Sequence, residues 1–283
     1  MKYLYIIVIF LIIFNSVRSE HTEPFSEFSQ LNIAKNRSQI INNKVVEKYA
    51  YRLLSELDTS DRKIVSREYF DEKGNILKFE SIDDYGSVQI NAIYKYNDEG
   101  MLINLEETDN FRTIIQKHTY SYDPFGKLVK VLTTGYQDVH IQTVQYEYVE
   151  EKSVVIESIK DSSNNVIEYA IHLYDKPFNQ IIKTSYYTKD NEINGITAYF
   201  YDSNGINSRE VYKKNIDEPY QIKYHNIYDE KSNLSEVRNI GFPNKLMVTV
   251  KHIYDENNLL ISTAMYDAEN NFITAINYEY IKN

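Results

Sequence analysis

The stretch Tyr-Ser-Tyr-Asp-Pro-Phe-Gly-Lys-Leu, from Tyr120 to Leu128, contains the unit from which the chain is built. Its second tyrosine belongs to a series of aromatic residues that returns every 26 or 27 residues. We call these the marker residues: Phe70, Tyr96, Tyr122, Tyr148, Tyr174, Tyr201, Tyr228, Tyr254 and Tyr280. A fixed period of this length is the signature of a repeat protein.

Each period contains two turn signals. The first follows the marker, where Asp or Asn opens the turn and Gly closes it three residues later; the clearest copies are Asp71–Gly74, Asn97–Gly100, Asp123–Gly126 and Asp202–Gly205. This pattern predicts positive φ at Gly126 and Gly205. A second, less regular turn falls about halfway through the period. The intervening runs of about nine residues are rich in Tyr, Ile, Val and Thr, which indicates strands.

Two strands per period make an antiparallel all-β meander of roughly sixteen to eighteen strands. Open sheets rarely exceed ~10 strands without curling or splitting. We therefore predict an all-β fold in which tandem two-stranded repeats of about 26 residues form a curved sheet, a superhelix or an open barrel-like array. No helical pattern lies between the strands, which excludes a parallel α/β fold.

The chain divides into three predicted segments. Residues 1–19 combine Lys2, an apolar stretch and a short-residue cleavage site, which is typical of a secretory signal peptide. Residues 20–61 are predicted as an N-terminal leader or cap that includes a short helix or a first strand, and residues 62–283 as the repeat domain. Residues 45–57 fit either a helical face or strand alternation; the repeat register favours a strand. We expect a secreted, periplasmic or cell-surface protein.

Composition limits the partners. The formal net charge of −10 argues against nucleic acid, and no stretch after the signal peptide is apolar enough to cross a bilayer as a helix, so membrane association is not expected. The chain has no cysteine, so stability must come from burial and strand pairing rather than disulfides. It has 27 tyrosines and no tryptophan.

The stretch Tyr120–Leu128 is similar to the YD repeat of Rhs-type proteins, whose consensus is Tyr-x-Tyr-Asp-x-x-Gly-x-Leu. The stretches from Tyr94 to Gly100 and from Tyr199 to Gly205 match it less fully. The resemblance covers residues 62–283 and implies β-hairpins wound into a shell that can enclose a toxic C-terminal domain. This chain departs from that pattern: we expect no cargo domain, and the repeats are few for a large closed shell.

A second aromatic row lies two residues before the markers and, by strand alternation, on the same face. It either packs the sheet or presents ring faces to a glycan or a cell-surface protein. On the binding interpretation, the markers carry stability and the second row is the exposed, ligand-binding member of each pair. Its predicted binding residues are Tyr94, Tyr120, Tyr146, His172, Tyr199, His252 and Tyr278.

Signals for chemistry are weak. The turn aspartates are explained by turn capping rather than by calcium, and the six histidines do not form a metal set, so no cofactor and no catalytic residue is predicted.

Three hypotheses for the function follow. The first is a secreted, non-catalytic binding protein; the second is an outer-membrane-type β-barrel, against which outward Lys95, Glu147, Lys251 and Glu279 count. The third is a secreted hydrolase acting on polysaccharide.

Overall fold

The structure, a computed structural model, describes residues 27–53, 55, 62–175, 180–203, 205–241 and 245–283, the first eight of them through the backbone alone. The predicted signal peptide lies outside this range. Within the described residues one helix, α1, spans Glu27–Asn42. Two single 3-10 turns lie at Tyr136–Asp138 and Glu150–Lys152.

Eighteen strands follow the helix: β1 (Val45–Leu53), β2 (Arg62–Phe70), β3 (Ile76–Ile82), β4 (Val88–Tyr96), β5 (Leu102–Asp109), β6 (Ile114–Tyr122), β7 (Leu128–Thr134), β8 (His140–Val149), β9 (Val154–Asp161), β10 (Val166–Tyr174), β11 (Ile181–Thr188), β12 (Ile193–Tyr201), β13 (Asn207–Lys213), β14 (Gln221–Tyr228), β15 (Leu234–Gly241), β16 (Lys245–Tyr254), β17 (Leu260–Asp267) and β18 (Phe272–Lys282).

The hairpin turns have the chemistry that the sequence predicts. The Asp123 carboxylate accepts hydrogen bonds from the backbone N–H groups of Phe125 (2.9 Å) and Lys127 (2.8 Å). Gly126 has φ +81° and Gly205 has φ +75°, which confirms the prediction of positive φ at both. A side chain at such a position costs backbone strain, so glycine is favoured there.

The meander closes into a barrel. Each strand pairs antiparallel with the next, and β1 pairs with both β2 and β18, from Val45 opposite Lys282 to Leu53 opposite Ala275. The all-β meander is confirmed, but the predicted curved sheet, superhelix or open array is wrong. Twist accumulates over 18 strands, and closure leaves no unpaired edge. The barrel includes β1, which lies upstream of the repeat domain predicted to start at residue 62.

Alternation gives the barrel an inner and an outer face. The markers and the second row point inward, where Tyr146, Val155 and Tyr174 belong to the largest buried cluster and Phe79 and Tyr94 to a second. The outward positions carry exposed charges within the strands, among them Lys95, Glu147, Lys183, Arg209 and Arg238.

Helix α1 lies across the end of the barrel where the marker turns are, which we call the marker end. Lys35 Nζ donates to the backbone carbonyl of Ser232 (2.8 Å), in the β14–β15 turn. Arg37 Nε donates to the carbonyl of Lys73 (2.8 Å), in the β2–β3 turn. Ile40 is buried in a cluster with Val45 and Leu259. The helix is therefore attached to hairpins on two sides of the mouth.

In the part of the chain that the structure describes, no helix is long and apolar enough to cross a lipid bilayer.

Candidate functional site

A cavity of about 670 Å³ lies inside the barrel, beneath α1 at the marker end. Asn36, Arg37, Gln39 and Ile40 of the helix form its roof. Its wall is built mainly from inward side chains of successive repeats, and six of them are markers: Phe70, Tyr96, Tyr122, Tyr148, Tyr174 and Tyr280. Cavities of this size, with aromatic walls and a few polar groups, are typical of small-ligand sites.

The marker phenols are fixed in orientation by hydrogen bonds to the backbone. Tyr122 Oη donates to the carbonyl of Leu102 (2.7 Å), and Tyr148 Oη donates to the carbonyl of Leu128 (3.0 Å). The same bond is made by Tyr96, Tyr201, Tyr228, Tyr254 and Tyr280. Because the hydroxyls are engaged with the wall, the rings are held in place around the cavity.

Each accepting carbonyl lies beside a β-bulge. In the β4–β5 pairing, for example, the register shifts between Lys95 and Tyr96, so β5 contains an extra residue next to Leu102. Equivalent shifts occur at Ile76, Leu128 and Leu260. A bulge disrupts the regular hydrogen bonding between strands. The tyrosine of the following period therefore supplies a donor where the hairpin is irregular.

Burial keeps these phenols neutral. It raises the pKa of Tyr122 to about 12 and that of Tyr254 to about 12. It also raises the pKa of Tyr148 and Tyr280 well above the usual range. The hydroxyls therefore remain donors at physiological pH, with the rings as uncharged surfaces.

An ion pair lines the cavity among these rings. Lys48 Nζ lies 2.9 Å from Glu68 Oε1, on adjacent strands β1 and β2. Both side chains are mostly buried, and the ammonium lies 4.8 Å from the ring centre of Tyr278. Burial alone would lower the pKa of Lys48, but the charge and the hydrogen bond of the Glu68 carboxylate outweigh this effect and raise the pKa. This raised pKa favours the charged form of Lys48.

Polar groups of the roof and the neighbouring turn complete the site. Arg37 donates to the Asn75 side-chain oxygen, and Asn75 Nδ2 donates to the Asp71 carboxylate (2.7 Å). This chain of contacts orients the guanidinium and the amide at the boundary between α1 and the barrel. The cavity thus combines flat aromatic walls with amide and charged groups at one end.

The predicted binding residues of the second row also point inward, but they lie outside the cavity. None of the described residues that line the cavity belongs to the predicted set Tyr94, Tyr120, Tyr146, His172, Tyr199, His252 and Tyr278. The expectation that this row is the exposed member of each pair is wrong, since Tyr94 is 3% and Tyr146 9% exposed. Alternation assigns a face, but it does not show how far a side chain extends into the lumen.

Sequence reasoning missed Glu68 and Arg37. Glu68 occupies the second-row position of the first period, two residues before Phe70, and a carboxylate at a position otherwise filled by Tyr, His or Asn was the available signal. Arg37 lies in the segment predicted as a polar leader, where no period identifies it.

Two inward histidines bind threonine hydroxyls rather than forming a metal site. His172 Nδ1 lies 3.1 Å from Thr184 Oγ1, and His172 Nε2 lies 3.8 Å from Glu157. The His–Thr contact recurs at His252 and Thr263 (3.0 Å), so it is a cross-strand packing unit of the repeat. Within the described ranges, no cluster of three His, Asp or Glu side chains is arranged to hold a metal ion.

Comparison with known proteins shows no family. No family model and no curated protein matches the chain. Among solved structures, a porin-like protein from Bacteroides uniformis is 9% identical, with 84% of this chain and 98% of that chain covered and a TM-score of 0.43. One from Bacteroides vulgatus is 12% identical, with 84% and 99% covered and a TM-score of 0.40.

A chain of the complex TcdB2-TccC3-Cdc42 is 14% identical, with 78% of this chain and 14% of that chain covered and a TM-score of 0.29. TM-scores this low assign neither family nor function. The similarity to YD repeats therefore remains a resemblance, and the protein is described by its own features: a closed 18-stranded barrel with a helix across one mouth and a tyrosine-lined cavity beneath it.

Proposed function

We propose that this chain is an exported, non-catalytic binding protein that holds a saccharide in the cavity beneath α1. The observation that carries the proposal is the set of marker tyrosines around one cavity, four of which, Tyr96, Tyr122, Tyr148 and Tyr280, have their hydroxyls bonded to the barrel wall. Rings fixed in this way present their faces, and tyrosine faces stack on sugar rings with little loss of conformational entropy.

The polar groups support the same ligand class. A sugar needs hydrogen-bonding partners at its rim in addition to flat surfaces at its faces. Asn36, Gln39 and Asn75 supply amides, while Arg37 and the Lys48–Glu68 pair supply charged donors and acceptors around the same space. An apolar ligand would displace the water that hydrogen-bonds to these groups and would offer no hydrogen bonds in return. The cost is ~1–3 kcal/mol for each group left unsatisfied.

The charged residues on the outer face indicate a barrel wall that is surrounded by water rather than by lipid. Arg209 lies 4.4 Å from the ring centre of Phe200, and Lys251 lies 4.6 Å from that of Tyr266, both on the outward side. Placing Arg or Lys at the middle of a bilayer costs about 2–4 kcal/mol for each residue. These outward charges are spread over many strands, so the wall is unsuited to lipid.

Calorimetric titration with a set of neutral, acidic and amino sugars and their oligomers tests the proposal. We expect saturable binding by at least one member. Tyr122→Phe, which keeps the ring but loses the hydrogen bond that fixes it, should bind only slightly more weakly than wild type; Tyr122→Leu, which removes the flat face, should bind about tenfold more weakly, by analogy with stacking on aromatic platforms. Absence of binding across the set, or equal affinity of the two variants, would count against saccharide binding.

The closed, even-stranded antiparallel barrel is the observation that favours the second candidate, an outer-membrane protein. Fractionation of the expressing cell separates the two candidates. A binding protein with its wall in water is recovered without detergent, whereas an integral barrel requires detergent for extraction.

A further inference from the structure

Three consecutive hairpins at the end of the barrel opposite α1, which we call the far end, carry exposed aromatic residues at their tips. Tyr85 is 94% exposed in the β3–β4 turn, Phe111 is 81% exposed in the β5–β6 turn, and Tyr136 is 60% exposed in the β7–β8 turn. Equivalent positions of neighbouring hairpins are two strands apart, or about 10 Å. The three rings therefore form a short arc along one rim.

The turns themselves do not require aromatic residues. The backbone N–H groups of Tyr85 and Phe111 each donate to the carboxylate of the aspartate two residues earlier, at 2.9 Å. Ser163 and Glu269 occupy the same turn position in two other hairpins of the far end and make the same bond, at 2.9 and 3.0 Å. Because serine and glutamate form the same turn, turn formation does not explain the aromatic residues in the arc.

Apolar side chains continue the arc down the adjoining strands. Val139 is 62% exposed, and Ile115 and Ile141 are also exposed. The three lie at neighbouring strand ends, since the Ile141 side chain and the Ile115 backbone both approach Gly135. The rim thus has protruding rings with an apolar strip immediately behind them.

The acidic groups of this rim accept hydrogen bonds within their turns or lie near basic side chains. The carboxylates of Asp83 and Asp109 accept backbone hydrogen bonds inside their own turns. Asp84 is paired with Arg52, and Asp138 lies 3.7 Å from Lys117. With Arg112 in the β5–β6 turn, three basic side chains stand against these four carboxylates, so the local net charge is small, although the whole chain has a net charge of −10. A weakly charged surface with a negative body suits an uncharged bilayer better than an anionic one.

We propose that the arc of Tyr85, Phe111 and Tyr136 inserts into the interface of a zwitterionic lipid bilayer, so that the barrel stands on the membrane by its far end with its charged wall in water. Separate protruding rings fit between lipid headgroups, where aromatic side chains favour the interface. They fit a flat protein surface less well. This association is peripheral and independent of ligand binding at the marker end.

Co-sedimentation of the mature chain with phosphatidylcholine vesicles tests the proposal. We expect binding to these vesicles that is weaker on pure phosphatidylglycerol vesicles. Replacing the three rings (Tyr85→Ser, Phe111→Ser and Tyr136→Ser together) should lower the bound fraction at least ~10-fold without changing the melting temperature, because surface changes of this kind have small effects on stability. Phe125→Ser is the matched control.

Phe125 is 87% exposed at the same turn position on the marker end, so its loss should leave vesicle binding unchanged. Because the chain has no tryptophan, Tyr85→Trp and Phe125→Trp each introduce a single indole. We expect the emission of the first, not the second, to shift to the blue on vesicles. No vesicle binding by the wild type, equal loss in the Phe125 control, or a dimer in solution that the triple variant abolishes would overturn the proposal.

Discussion

The hydroxyl of Tyr122 donates a 2.7 Å hydrogen bond to the backbone carbonyl of Leu102, 20 residues earlier in the chain. The bond joins one hairpin to the preceding one beside its bulge, and six other markers repeat it with a separation of 20 or 21 residues. A bond that seven of the nine markers make at the same place in the period favours the same residue at that place. The tyrosine repeat in the sequence is therefore the trace of this contact.

Tyr122→Phe tests the value of that bond. The ring stays, but the Leu102 carbonyl loses its donor, so we expect the free energy of unfolding to fall by about 1 kcal/mol, within a range of roughly 0.5–1.5. Tyr136→Phe is the control, because Tyr136 is exposed at a hairpin tip and its change should be below ~0.5 kcal/mol. Urea unfolding measures both. Equal midpoints for the two variants would show that the bond contributes nothing.

Gly74 and Gly86 separate turn strain from helix docking. Both have positive φ, +71° and +83°, so an added methyl group strains either turn by ~1–2 kcal/mol. A Cβ at Gly74 would also lie 3.0 Å from Arg37 Cγ, whereas a Cβ at Gly86 would meet nothing within 4 Å. We expect Gly74→Ala to be the more destabilising and to make α1 more sensitive to protease. Identical stability and cleavage rates would mean that α1 does not depend on this contact.

The Lys48–Glu68 pair should show strong coupling. Lys48→Met leaves a mostly buried carboxylate alone, and we expect a loss of about 2–3 kcal/mol, somewhat below the ~3–5 kcal/mol of fully buried pairs. Adding Glu68→Leu removes the uncompensated charge and should restore most of the stability. Chemical denaturation of the two single variants and the double variant completes the cycle. If the loss in the double variant equals the sum of the losses in the two single variants, Lys48 and Glu68 are not coupled.

Stability should decrease at alkaline pH. The pKa of Tyr122 and of Tyr254 rises in the folded protein from 10.0 to about 12, so the folded state retains protons that the unfolded state has lost. This contribution is complete below about pH 10 and is lost as the pH rises through about 12. The melting temperature and the phenolate absorbance are measured over the same range of pH. The melting temperature should fall over the pH range in which the buried tyrosines ionise, after the exposed ones. A single wave near pH 10 with unchanged melting would exclude the burial effect.

Much of the fold could be predicted because its signals are local. An aspartate that caps a turn and a glycine with positive φ act over four or five residues, so Asp123 and Gly126 can be interpreted directly from the sequence. The strand at Val45–Leu53 also follows from a short pattern and the repeat register. The residues that line the cavity were harder to predict, because Tyr120 and Tyr122 share a face and a residue type, yet Tyr122 alone of the two lines the cavity.

The sequence by itself determined the all-β composition, the two-stranded period and the turn chemistry, because hydrogen bonds and backbone preferences between near neighbours govern all three. Only the tertiary structure decided that β1 meets β18, since pairing Lys48 with Tyr280 joins residues at opposite ends of the chain through no local signal. Closure depends on the twist summed over 18 strands, and the cavity depends on closure and on where α1 comes to lie. Each is a property of the whole barrel, which no single repeat contains.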